Sequence, residues 1–361
     1  MNKIFKIFFL LAVAISLTNC GPDDESQTQP LRDFQVQYNS DIADIERYLK
    51  THSITVLNNP GFADDMDVTY TEVPENDPTS IWNDPRLTST TVVDPLTQKP
   101  YYHDVAYKIY YLRLRTGGGA AGNRVAPTNA DAVLTSYTGS YLFHYTDPNV
   151  ENAPDELRQA QFESVPFPQT NLPLEGVIKG WSEVYPLFKS GDFTTVQGEP
   201  VTYTDFGAGV LFIPSGLGYY NQSQSAIPAY SPLIFSFKLY EVIRLDQDAD
   251  GIPSWLEDIN NDGFMRALPA DFDNPDDTDG DLAPNFLDLD DDGDLSLTRV
   301  ETRRPKQDPT DVDEEFTYYP YNGAAEDDPA TPYNEMHGIP SCSGDFTSPT
   351  RIRKHLDASC E

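Results

Sequence analysis

The sequence predicts an α+β protein in which an antiparallel β-sheet wraps a short helix, followed by an irregular acidic segment. Three observations lead there. Several runs are apolar, aromatic and β-branched over strand lengths, while helical periodicity is confined to short stretches. Turn-forming residues are abundant, with 30 Pro and 22 Gly in 361 residues. The acid is also uneven: 58 Asp+Glu against 24 Lys+Arg give a net charge of −34, and residues 246–315 alone hold 23 acidic and 5 basic side chains. Such density repels itself unless cations bind it or it stays solvated. It also excludes a constitutive nucleic-acid binder, which needs a basic surface. With 39% apolar and 12% aromatic residues the chain can still build a core.

At the start, Lys3 and Lys6 precede an apolar run from Ile7 to Leu17, too short to span a bilayer, so residues 1–19 read as a signal peptide. The following Leu17-Thr18-Asn19-Cys20 resembles a bacterial lipobox, which implies lipid on Cys20. The acidic run behind it, Gly21-Pro22-Asp23-Asp24-Glu25, resembles the surface-export signal of Bacteroidetes-type lipoproteins. Residues 20–32 are then a lipidated tether. The protein is expected to be an outer-membrane lipoprotein facing the periplasm or the cell surface, held to the membrane by its anchor rather than crossing it.

Residues 33–103 read as a helix and an irregular region. Asp41–Leu49 sets Ile42, Ile45 and Leu49 at helical spacing, whereas 58–99 is rich in Pro, Asp and Thr without a period. Val105–Leu114 is a strand. Thr116–Gly122 is a loop whose glycine spacing resembles a nucleotide-binding loop, but Asn123-Arg124 stands where Lys-Ser/Thr is needed, which excludes that function. Ala132–Gly139 is a second strand, Val177–Leu187 begins a helix with an apolar face, and Gly209–Ile213 and Leu233–Ile243 are further strands.

Within 104–244 five pieces occur in an order that resembles the FKBP-type peptidyl-prolyl isomerases. They are Tyr137-Thr138-Gly139, Phe162-Glu163-Ser164, Val177-Ile178-Lys179-Gly180-Trp181, Ile213-Pro214-Ser215-Gly216-Leu217-Gly218-Tyr219, and Ile227-Pro228 with Pro232-Leu233-Ile234-Phe235-Ser236-Phe237. The resemblance implies an FKBP-like sheet around a short helix, and a pocket with Trp181 as floor. Tyr137, Phe162, Phe167, Val177, Ile227 and Phe235 would be its walls. The Ile178 N–H and the Tyr219 hydroxyl would hold substrate carbonyls. Glu163 stands where the family has Asp, as the polar group of the rim. The stretch 192–209 exceeds the family's length, so a bulge or flap beside the pocket is expected. The activity implied is cis/trans isomerisation of X-Pro bonds in exported or surface polypeptides, with no catalytic cofactor and the protein as a monomer. The alternative is a non-catalytic module that grips proline-containing segments or acts as a chaperone. The five His show no metal-like spacing.

Residues 245–302 repeat one pattern. Asp246, Asp248 and Asp250 precede Gly251, with Glu257 at position 12. Asp277, Asp279 and Asp281 recur with Asp288 at position 12, and Asp290, Asp292 and Asp294 with Glu301; Leu282 and Leu295 occupy the glycine place. Asp258, Asn260 and Asp262-Gly263 make a partial copy. Alternate carboxylates converging on one ion are a calcium pattern, and oxygen ligands without His or Cys favour calcium over zinc. The segment resembles thrombospondin type-3-like repeats, which implies structural calcium and a stiff spacer. In the tail, 303–361, Cys342 and Cys360 are the only cysteines besides Cys20, and export predicts a disulfide between them.

Overall fold

The computed structural model describes residues 31–360 except 76, 225, 309 and 312–314. The expected signal peptide, Cys20 and nearly all of the expected tether lie outside the described residues.

The first helix, α1 (Phe34–Thr51), is twice the length its apolar period predicts. Asp33 caps it, its carboxylate accepting from the Val36 N–H at 3.0 Å. Ile45, Tyr48 and Leu49 bury its later turns. A hairpin follows, β1 (His52–Val56) with β2 (Val68–Glu72). The main sheet comprises β3 (Leu87–Val92), β4 (Tyr107–Arg115), β5 (Ala132–Tyr145), β6 (Glu156–Val165), β7 (Leu172–Pro173), β10 (Gly207–Ile213) and β11 (Leu233–Ile243). Its order is β3-β4-β10-β11-β5-β6, with β7 beside β5, and every pairing is antiparallel. A small hairpin, β8 (Asp192–Thr194) and β9 (Thr202–Thr204), lies outside the sheet. Among the described residues the fold is thus mixed, with one seven-stranded antiparallel sheet, two small hairpins and few helices.

Two cores flank the sheet, because alternate side chains of a strand face opposite ways. Tyr107, Ile109, Leu211, Ile213, Leu233, Phe235 and Phe237 pack on one face with Trp181, Tyr185 and Phe188. Tyr110, Leu112, Val210, Phe212 and Ile234 pack on the other with Ile45, Tyr48 and Leu49 of α1. Behind that second face the β1–β2 hairpin leaves a cleft of about 530 Å³ lined by Ser136, Thr138, Ser140, Ser236 and Lys238.

Several expectations change. The region 58–99 is not wholly irregular: it supplies β2 and the edge strand β3, whose Leu87 pairs with Leu112. The strand from Ala132 runs past Gly139 to Tyr145. The helix expected over 177–187 shrinks to α2 (Lys179–Ser182) plus a 3-10 turn at Tyr185–Leu187. The β-branched Val177 and Ile178 precede it and Pro186 cannot continue it. Within 192–209 a register shift falls between Ala208 and Gly209, in the pairing of β10 with β4. The β8–β9 hairpin, however, does not flap over the aromatic pocket. Tyr203 stacks on Tyr240 at 4.3 Å, in a cluster with Phe206 and Ala208.

Candidate active site and acidic loops

Gly180 begins the geometry of the aromatic recess. A Cβ there would collide with the Ile213 side chain, so its absence lets α2 settle on the sheet. That brings Trp181, 4% exposed, against β11 and β5. Its ring lies edge-on to Tyr137 at 4.9 Å and to Phe235 at 5.1 Å, and Phe162 stands edge-on to Phe235 at 5.6 Å. Gly139 leaves room for both phenylalanines, since a Cβ there would strike the rings of Phe162 and Phe235. Tyr185 stacks beneath Trp181 at 5.1 Å and is tied by its hydroxyl to Thr135 Oγ1 at 3.0 Å.

Nine of the ten pocket residues expected from the sequence lie in or beside the hydrophobic cluster on this face of the sheet. Trp181, Ile227 and Phe235 are buried in one cluster, with Tyr137, Phe162, Val177, Ile178 and Tyr219 partly buried against it. The ninth, Glu163, accepts from the Tyr137 hydroxyl at 3.0 Å. Burial, the carboxylate bond and then the nearby Tyr219 push the Tyr137 phenol up to about 12. Burial, with Glu163 adding to it, also raises Tyr219. Both phenols therefore stay protonated donors at neutral pH. The Trp181 indole N–H is buried without a hydrogen-bond partner among the described residues. These residues make an aromatic cluster with phenolic hydroxyls and one carboxylate beside it.

Phe167 is the exception. It is 69% exposed and lines the cleft behind the sheet, not the recess. β6 ends at Val165, paired with Tyr137, and the Pro166-Phe167-Pro168 turn then leaves the strand.

The acidic loops share one hydrogen-bond grammar. The sixth N–H of each reaches back to the first side chain: Gly251 to Asp246 at 3.2 Å, Gly263 to Asp258 at 2.8 Å, Leu282 to Asp277 at 3.0 Å and Leu295 to Asp290 at 2.9 Å. All four sixth residues have positive φ, at 101°, 85°, 84° and 76° respectively. Leu282 and Leu295 thus adopt a conformation that normally asks for glycine.

One loop is completed by another. Asp248, Asp250 and Glu257 gather with Asp291, their ligand atoms within 4.8 Å of one another, while Asp246 stays outside that set. Asp291 was missed in the sequence because it sits between Asp290 and Asp292, which gather with Asp294 instead. Asp277, Asp279 and Asp281 form a third set, without Asp288. The side chain of Asp288 instead accepts from the Asp290 N–H at 3.0 Å, which links two loops. Both oxygens of Glu257, Asp291 and Glu301, and Oδ2 of Asp248 and Asp250, are buried without hydrogen-bond partners among the described residues. Burial, then Asp291, Asp250 and Asp248, push Glu257 up to about 11. Burial, then Asp250 and Asp248, push Asp291 up to about 9. Glu301 rises to about 8 through burial and then Asp292, with Lys354 opposing. Cationic relief is scant: Lys354 Nζ is 3.9 Å from Glu301, while His355, whose Nε2 is 4.0 Å from Asp291, is kept neutral by burial, which lowers it to about 3. Orphaned, converging carboxylate oxygens fit a hard divalent cation such as calcium.

These loops are fastened to the rest of the molecule. Arg266 donates to Glu183, the residue after α2, at 3.1 Å and to the Tyr101 hydroxyl at 2.8 Å. Asn129 both donates to the Met265 carbonyl and accepts from its N–H at 2.8 Å. In the tail Cys342 and Cys360 are joined, with Cα atoms 5.3 Å apart.

Among the described residues no helix is long and apolar enough to cross a membrane. The family model described as BamM C-terminal matches residues 247–333. No curated protein matches the chain. Among solved structures, a peptidyl-prolyl cis-trans isomerase from Pseudomonas syringae pv. tomato is 21% identical with a TM-score of 0.25, over 38% of this chain and 76% of that one. FkpA from Escherichia coli is 24% identical with a TM-score of 0.25, over 37% of this chain and 48% of FkpA. The chain therefore spans about half the length of FkpA, and each likeness covers little more than a third of this protein.

Proposed function

We propose that the recess around Trp181 binds X-Pro segments and accelerates their cis/trans exchange. The carrying observation is the edge-on set of Trp181, Tyr137, Phe235 and Phe162, with phenolic donors at its rim. The reaction makes and breaks no covalent bond. Its barrier of roughly 18–20 kcal/mol comes from amide resonance, which puts charge on the carbonyl oxygen. Water stabilises that planar, polar state. A dry aromatic hollow withholds the water and so favours the twisted, less polar transition state. Tyr219 and the Ile178 N–H would hold the neighbouring carbonyls while the prolyl bond turns.

A protease-coupled assay on residues 33–361 tests this reading. Acceleration that falls in Tyr219→Phe and Trp181→Leu supports it. A folded protein without acceleration leaves the second reading, a module that grips proline segments. The Glu163–Tyr137 bond favours that reading, because it occupies two polar groups of the rim with each other.

The acidic loops are proposed to hold calcium as a structural ion, which fits their orphaned carboxylates. Lipid on Cys20 and residence at the outer membrane complete the proposal; fatty-acid labelling of wild type but not Cys20→Ser would support the anchor.

A further inference from the structure

Phe34, Gln37 and Asp41 fall on one face of α1, and all three meet the segment 214–231 that carries Tyr219. Phe34 stacks on Tyr220 at 4.4 Å. Gln37 donates to the Tyr230 carbonyl at 3.4 Å and to Asp41 Oδ1 at 2.6 Å. Asp41 Oδ2 accepts from the Ser215 N–H at 2.8 Å and from the Ser215 hydroxyl at 2.6 Å. The Ser215 carbonyl in turn accepts from the N–H groups of Gly218 and Tyr220, each at 2.9 Å. The residues on either side of Tyr219 therefore hang on the one residue that Asp41 holds.

We infer that Asp41 is a positioning residue for the recess: from the N-terminal helix it fixes the Ser215 turn and, through it, the place of the Tyr219 hydroxyl. The inference rests on the reading of the recess as a proline site. Its force comes from burial. Asp41 is 1% exposed, so a shift of the turn would strand a carboxylate in a dry place with its acceptors unfilled. Helix and turn consequently share one low-energy register. Misplacing a positioned group by ~1 Å can cost on the order of 100-fold in rate.

The test is a double-mutant cycle in residues 33–361, read as kcat/KM for a proline peptide. Asp41→Ala should lower it by about 10- to 100-fold, but by less than about twofold in a Tyr219→Phe background, where the hydroxyl it serves is gone. Asp41→Asn keeps an acceptor for Ser215 and should recover most of the rate. Ile45→Ala, on the same helix but facing the other core, should lower the melting temperature and leave kcat/KM alone. An equal loss from Asp41→Ala with and without the Tyr219 hydroxyl would overturn the inference, as would an equal loss from Ile45→Ala. Should Asp41→Ala not fold, Ser215→Ala, which removes the hydroxyl bond to Asp41, carries the same cycle. A wild type without acceleration would refute the isomerase reading separately. The cycle is then read in peptide affinity by calorimetry, where additive losses would overturn the inference, and a wild type that does not bind the peptide would remove both.

Discussion

The sheet domain and the acidic loops are held together by opposite means. In the first, carbon buries carbon: Tyr107, Phe212, Phe188 and Leu211 are fully covered and need nothing from outside the chain. In the second, the buried groups include Asp250, Glu257 and Asp291, which repel one another, and Glu301, which Asp292 and Asp294 repel. Apolar cover there is thin, a cluster of Met265 and Phe286 with Ala130. One region carries its cohesion in its sequence, and the other, on the proposed reading, would be completed by a bound cation.

The largest expected effect follows from removing that cation. A chelator should expose 245–302 to protease while 104–244 stays protected. Calcium at about 100 times its dissociation constant should restore about 2.7 kcal/mol. Equal protection of both regions in chelator would erase the contrast.

The second prediction acts on the other side. Trp181→Ala should cost roughly 3–5 kcal/mol in the sheet domain, the range for emptying a large buried aromatic site. Calcium affinity should be unchanged. A matching loss of calcium affinity would mean that the Arg266–Glu183 contact couples the two regions more tightly than their separate chemistry requires.

A smaller effect should appear with pH in chelator. Glu257, Asp291 and Glu301 have folded values of about 11, about 9 and about 8, above the ordinary carboxylate range. Acids raised by folding stabilise the folded form below their unfolded values, and that stability is lost as pH rises through the folded ones. The chelated loops should therefore be more resistant to urea at pH 5 than at pH 8, with calcium flattening the difference. The reverse order in chelator would contradict it.

The smallest effect concerns Leu295, 93% exposed at a φ of 76°. Leu295→Gly relieves roughly 1–2 kcal/mol of left-handed strain but adds roughly 0.5–1 kcal/mol of unfolded-chain freedom. A net gain of at most about 1.5 kcal/mol is expected, measured by calcium-saturated thermal unfolding. A clear loss would show that the leucine makes a contact of its own.

Legibility in the sequence follows the same division. β4 and β11 are readable because their apolar, aromatic runs are local properties of the strand. The recess is readable because its motifs keep their order. The first turns of α1 are not, since Gln37 and Asp41 break the apolar period in order to bind a turn some 170 residues away, at Ser215 for Asp41. Phe167 misleads because an aromatic beside a strand end does not declare its face. Asp291 is hidden for a related reason: spacing shows which carboxylates share a loop, not which loop they complete.

The strand order also has a consequence in time. β10 and β11 lie at the centre of the sheet, between β4 and β5, yet are the last of its strands in the chain. As the polypeptide emerges, β3–β4 and β5–β6 can each pair locally, but they remain two separate ribbons. The sheet closes only when Leu112 meets Val210 and Tyr137 meets Phe237. Such distant pairings are slow to find, and each ribbon waits with an open edge that other chains can join. An escort that shields those edges until Ile243 has emerged would shorten the most exposed interval in the life of this protein.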